Sequence, residues 1–179
     1  MLLLPNLKKS LPLKNYRKAL GCDPGKENFG WAIYIRGLGL THSSVTDGID
    51  KVTDISFFRK NIVTILNTHQ PDCVCIERFH SQPRRGSKKN LELVNLAIGV
   101  AVEVFLSCGL PVDLVTAATH KSWLSRNFEV GFREETTRGK IKRKYDITTY
   151  KEWQHLNTEH EADAANMAKY AVEHVFNQE

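Results

Sequence analysis

The sequence predicts an α/β protein built as a mixed sheet with helices on both faces. Two observations carry this. Three β-type runs come first, between residues 18 and 44, and stretches with helical and strand periodicity then alternate to the end of the chain. Cys73-Val74-Cys75-Ile76 is a short, wholly apolar run that fits a central strand.

In order, Lys18 to Cys22 reads as a short strand that must turn at Asp23-Pro24-Gly25. Phe29 to Ile35 is a second strand. Gly37 supplies a tight turn, and Leu38 to Ser44 is a third strand, so the first three are antiparallel partners. Ser56 to Asn67 carries Phe57, Ile62, Ile65 and Leu66 at helical spacing. Pro71 precedes the central strand, and Glu77 stands at its end. HSQPRRGSKKN, residues 80–90, is a loop. Leu91 to Phe105 repeats apolar and small residues at helical spacing, which suits close packing on a sheet. Gly109-Leu110-Pro111 ends that helix, Val112 to Val115 is the fifth strand, and a helix follows from Thr116 to Leu124. Residues 127–157 are polar, and a helix from about Ile141 to Trp153 is expected there. Glu159 to Phe176 is the closing helix, with a row of alanines available for burial. No internal repeat is present.

The 179 residues suffice for one domain with a sizeable core. No apolar run approaches the length of a membrane span. Lys and Arg outnumber Asp and Glu by 25 to 20, a formal net charge of +5, which favours a nucleic-acid or phosphate-rich partner. Cys22, Cys73, Cys75 and Cys108 lack zinc-site spacing and are read as small buried thiols of a reduced, cytoplasmic protein. The acid-free stretch before the first strand, residues 1–17, is read as a basic arm. Its short apolar run precedes its lysines, the reverse of a secretory signal. Organellar targeting is the weaker reading.

Four polar residues stand where strand ends and a helix face can gather them: Asp23, Glu77, His160 and Asp163. Three are carboxylates, the hard oxygen ligands that magnesium and manganese prefer. Asp23 follows a strand and precedes Pro-Gly; a turn aspartate is the alternative. Glu77 ends a buried strand, where a carboxylate is costly unless a cation or donor meets it; Arg78 is the alternative partner. His160 and Asp163 are three apart and share a helix face. If the helix began only after Glu161, then Glu159 or Glu161 would take the ligand position. Carboxylates around two metal ions suit in-line displacement at a phosphodiester. His160 is either a ligand or a general base.

These stretches resemble the RuvC-like Holliday junction resolvases. GCDPGKENFGWAIY is similar to their first-strand motif, CVCIERF to the strand ending in a catalytic glutamate, NLELVNLAIGVAVEVFLSCGLPVDLVTAATHK to the helix and strand that follow, and HEADAANMAKY to the closing helix with two ligands three apart. The resemblance spans residues 18 to 176. It implies an RNase H-like fold with a mixed five-stranded sheet in a single nuclease domain, 18–179. It implies a homodimer that makes paired nicks in four-way DNA junctions, with Mg2+ as cofactor and Mn2+ able to substitute. It assigns catalysis and metal binding to Asp23, Glu77, His160 and Asp163. The N-terminal arm, the charged 125–157 segment and the basic loop after Glu77 point to a divergent or virus-encoded member, which would work in the host cytoplasm.

Candidate DNA contacts fall in two clusters. The loop after Glu77 carries Arg84, Arg85, Lys88 and Lys89 for phosphates, and Phe79 or His80 to wedge or stack at an unpaired base. Arg138, Lys140, Lys142, Arg143 and Lys144 precede the last helix and would lie beside a DNA arm. Lys121 is a candidate for the scissile phosphate. The competing readings are an RNase H-like nuclease for other branched DNA or RNA, and a non-catalytic junction-binding protein. A sugar-kinase or ATPase reading lacks the second domain and glycine-rich nucleotide turns it needs.

Overall fold

The computed structural model describes residues 15–78, 88–137 and 140–177. Strands β1 (Lys18–Pro24), β2 (Asn28–Ile35) and β3 (Gly39–Asp47) form an antiparallel meander. Strands β4 (Cys73–Glu77) and β5 (Val112–Val115) extend it in parallel from the far side of β1, giving the order β3-β2-β1-β4-β5. This is the mixed five-stranded sheet that the sequence predicts.

Period-two alternation splits each central strand between two cores. Leu20 and Cys22 of β1 and Val74 and Ile76 of β4 face helices α1 (Ile55–His69) and α2 (Lys88–Ser107). Ala19, Cys73 and Cys75 face the other way, toward α3 (Ala117–Asn127) and α4 (Glu159–Tyr170). Both faces are covered, which is why these strands read as continuous apolar runs. Gln70, at φ 47°, ends α1, and the Asp72 carboxylate accepts from the backbone N–H of Arg17 and Lys18, fixing the start of β1.

The closeness of α4 to the sheet depends on two glycines. A Cβ on Gly21 would lie 1.9 Å from the Ala164 carbonyl oxygen, and one on Gly30 would lie 2.5 Å from that of His160. The helix answers with Ala164, Ala165 and Ala168, all fully buried. Its backbone therefore rests directly on strand backbone, and its first turn is held at the end of β1.

Four expectations are corrected. Residues 141–153 do not form a helix: β6 (Gly131–Thr137) and β7 (Lys140–Asp146) pair as an antiparallel hairpin, followed by 3-10 turns at Ile147–Thr149 and Lys151–Trp153. The reason is cross-strand chemistry that local spacing does not reveal, with Phe132 opposite Tyr145, Glu134 opposite Arg143, and a Lys144–Glu135 ion pair. In α1, Phe58 is buried with Ile62, Ile65 and Leu66, while Phe57 is 55% exposed, because the core-facing row runs through positions 58, 62 and 65. Helix α2 begins at Lys88, so the last residues of the expected loop are helical. Cys108 is exposed, unlike the other three cysteines, because it lies in the turn after α2 rather than in a strand. The closing helix continues as a π turn through Val175. No described helix is long and apolar enough to cross a membrane.

Candidate metal centre

Cys22 of β1 pairs in register with Ile76 of parallel β4, so Asp23 and Glu77 follow side by side at the carboxyl ends of adjacent strands. Alternation turns both toward the face that α4 covers. Gly30, opposite Asp23 on β2, admits the backbone of His160.

The start of α4 is fixed by the Thr158 N-cap and by Glu161 reaching back to the residues before the helix. Thr158 Oγ1 accepts from the Glu161 N–H at 3.1 Å, and the Glu161 carboxylate accepts from the Asn157 N–H and from the hydroxyls of Thr158 and Ser43, each at 3.2 Å. Glu161 is thus a helix cap, and Glu159 pairs with Arg133 at 2.6 Å. Neither takes the ligand position. His160 and Asp163 face the strand ends.

Glu77, His120 and Asp163 each offer a ligand atom within 4.8 Å of the other two. Asp163 is nearly buried, and burial pushes its carboxyl up to about 6, against the pull of Lys121 and His120; the charge of Asp23 adds to the rise. A carboxylate held out of water at this cost suits a cation site. Lys121, the candidate for the scissile phosphate, is paired with Asp163. Its Nζ lies 2.7 and 2.9 Å from the two Asp163 oxygens. Burial opposes its charge, but the charge and hydrogen bond of Asp163 hold its pKa above the usual lysine value.

His120 is fully buried between Glu77 and Asn166. Its Nε2 lies 3.1 Å from Glu77 Oε2 and its Nδ1 lies 2.7 Å from Asn166 Nδ2. With the Asn166 amide donating to Nδ1, the ring proton sits on Nε2 and is given to Glu77. The Asn166 Oδ1 is then buried without a hydrogen-bond partner. Turning the amide over lets Oδ1 accept from Nδ1–H and frees the Nε2 lone pair for a metal. The orientation of Asn166 therefore decides whether His120 positions Glu77 or ligates an ion.

Asp23 forms a separate pair with His160, with Asp23 Oδ2 2.5 Å from His160 Nδ1. That hydrogen bond raises the imidazole pKa above 6.5 despite partial burial. The four residues chosen from sequence thus arrive at one end of the sheet as two neighbouring groups: Asp23 with His160, and Glu77 with Asp163. Sequence reasoning missed His120 and Asn166. Asn166 continues the three-residue row from His160 and Asp163, a signal that was available; a lone histidine in the short α3 gave none. The partner of Glu77 is His120, while Arg78 gives its backbone N–H to Val115.

Of the expected DNA contacts, Phe79, His80, Arg84, Arg85 and Arg138 lie outside the described residues, as do residues 1–14 of the N-terminal arm. Lys88 and Lys89 open α2, and Lys140, Lys142, Arg143 and Lys144 lie on β7.

No family model matches the sequence, and no curated protein aligns with it. Solved structures do resemble it. T. thermophilus RuvC in complex with a Holliday junction substrate superimposes with a TM-score of 0.62 at 18% identity, over 90% of this chain and 94% of that one. The fold is that of RuvC. A second structure of Thermus thermophilus RuvC gives 0.59 at 17% identity, over 89% and 93% of the two chains. The yeast mitochondrial Holliday junction resolvase Ydc2 gives 0.50 at 15%, over 64% of this chain and 57% of its own. The RNase H-like architecture implied by the motifs is therefore present.

Proposed function

We propose that the chain is a metal-dependent DNA endonuclease that resolves four-way junctions as a homodimer, one nick from each subunit. The observation that carries this reading is the gathering of Asp23, Glu77 and Asp163 at the strand ends beneath α4, in a fold shared with T. thermophilus RuvC. Glu77 and Asp163 would hold a divalent cation, with His120 as a third ligand when Asn166 frees its Nε2, and Asp23 would complete the centre. The preponderance of carboxylate favours Mg2+, with Mn2+ substituting. When bound, such ions supply Lewis acidity for in-line displacement at a phosphodiester.

The protein's own groups do the rest. While the Asn166 amide donates to its Nδ1, His120 orients Glu77. Lys121 brings an ammonium to the edge of the centre, where a phosphate oxygen can share it with Asp163. Asp23 favours the protonated form of His160, in which it is placed to give a proton; deprotonated, it becomes a ligand or a base. Two nicks across a symmetric junction need two sites related by a two-fold axis. The apolar helix α2, with Gly99 open and Leu106 exposed, offers a surface for the second copy.

The test is cleavage of a mobile four-way junction in Mg2+, with duplex and RNA–DNA hybrid as controls. Symmetric nicks in the junction alone are expected. Glu77→Gln should abolish cutting while retaining binding, because affinity comes mainly from phosphate contacts. Equal cutting of the hybrid would favour a broader RNase H-like nuclease, and binding without cutting would favour a non-catalytic role.

A further inference from the structure

A groove of about 600 Å³ runs between α3 and the β6–β7 hairpin. We propose that it binds an unpaired stretch of the DNA strand being cut, with bases stacked on its aromatic wall and phosphates on its cationic rim. The ligand class rests on the nuclease reading; the site is separate from the carboxylates.

Phe132 and Tyr145 form the wall. They are directly opposite across the hairpin, with ring centroids 5.0 Å apart, and are 50% and 40% exposed. Neither belongs to the two hydrophobic cores. The cross-strand pair braces the hairpin, yet it leaves each ring about half in water, where it can still receive a further flat partner. Such rings are what an unstacked base requires: a base inside a duplex has no free face, whereas an unpaired base can stack on an aromatic side chain.

The cations around the rings are graded. Arg133 is tied to Glu159 at 2.6 Å, which fastens the hairpin to the first turn of α4. Lys144 pairs with Glu135 on the neighbouring strand. The Arg143 guanidinium lies 4.5 Å over the Phe132 ring, on the same hairpin face as Glu134, and sits where a phosphate beside a stacked base would meet it. Lys121 lines the groove and also holds Asp163. A strand in the groove therefore leads directly to the carboxylate centre. An acidic peptide would satisfy the cations but would use neither the exposed ring area nor that continuity.

The experiment measures binding in EDTA, where no cutting occurs, of a labelled oligothymidylate and of a duplex of equal length. Phe132→Ala and Tyr145→Ala should each weaken oligothymidylate binding at least about five-fold and change duplex binding by less than about two-fold. Phe132→Trp, which keeps a stacking face, should bind as the unmodified protein does. Arg143→Gln should lower the salt slope by about one. Phe132→Leu keeps apolar bulk on the hairpin and, with urea midpoints, separates lost stacking from lost folding. Oligothymidylate binding unchanged in both alanine variants, equal losses on duplex, or displacement by polyglutamate as effective as by unlabelled oligothymidylate would each overturn the proposal. Junction cutting by the unmodified protein in Mg2+ is read separately. Cutting that persists while the aromatic variants bind normally refutes the groove alone. Groove-dependent binding without any cutting refutes the nuclease reading alone.

Discussion

Replacing Asp163 with asparagine should stabilise the metal-free protein. Burial raises this carboxyl from 3.8 to about 6. The folded chain thus holds the proton more tightly than the unfolded chain, and ionisation costs the folded state. The penalty is absent well below pH 3.8, grows as pH rises through the window from 3.8 to 6, and is complete above it. A gap of about two units at 1.36 kcal/mol each comes to about 3 kcal/mol. The attractions of Lys121 and His120 are already contained in that figure, since the pKa stays high in spite of them. Asparagine is nearly isosteric and cannot ionise. In EDTA at pH 7.5, Asp163→Asn should exceed the parent by up to about 3 kcal/mol, or roughly 6–12 °C in Tm for a chain of this size. Near pH 4 the difference should almost vanish. Urea unfolding at pH 4, 6 and 7.5 measures it. Adding Mn2+ should stabilise the parent by mass action and leave the variant nearly unmoved. An Asp163→Asn protein no more stable than its parent in EDTA at pH 7.5 would refute the reasoning, because the buried carboxylate would then carry no cost for a cation to relieve.

Three other outcomes are expected. The His160 imidazole should titrate above 6.5 by NMR, and Asp23→Asn should lower its midpoint; the pairing contributes stability below the unfolded pKa and loses it as pH rises through the folded value. Gly21→Ala should cost more than about 3 kcal/mol in urea unfolding, because the new methyl would meet helix backbone that cannot turn aside. Asn166→Ala strands one nitrogen of the buried His120 and should cost about 1–3 kcal/mol, with a change in the His120 tautomer visible in its ring nitrogen shifts.

The strands and most helices were legible because their signals are local. Cys73 to Ile76 is apolar at every position, Asp23-Pro24-Gly25 must turn, and the closing helix carries a row of alanines at helical spacing. The same locality exposed three carboxylates at element ends. The hairpin was not legible. Residues 131–146 are mostly polar, and their stability comes from partners on the opposite strand, so spacing along one strand alone misled. His120 and Asn166 escaped for a related reason. Each is a single polar residue, 46 positions from the other, and becomes informative only when burial forces the two to satisfy one another.

By itself the sequence determined the order of elements, the two apolar faces of the sheet and which acids stand at their ends, since these follow from periodicity and turn chemistry. The tertiary structure alone decided how those acids are shared out. Gly21 and Gly30 let α4 settle onto bare strand backbone, and that approach pairs His160 with Asp23, sets Lys121 on Asp163 and seals His120 behind Glu77. Desolvation and hydrogen bonding act over a few ångströms in space, and distance along the chain carries no record of them.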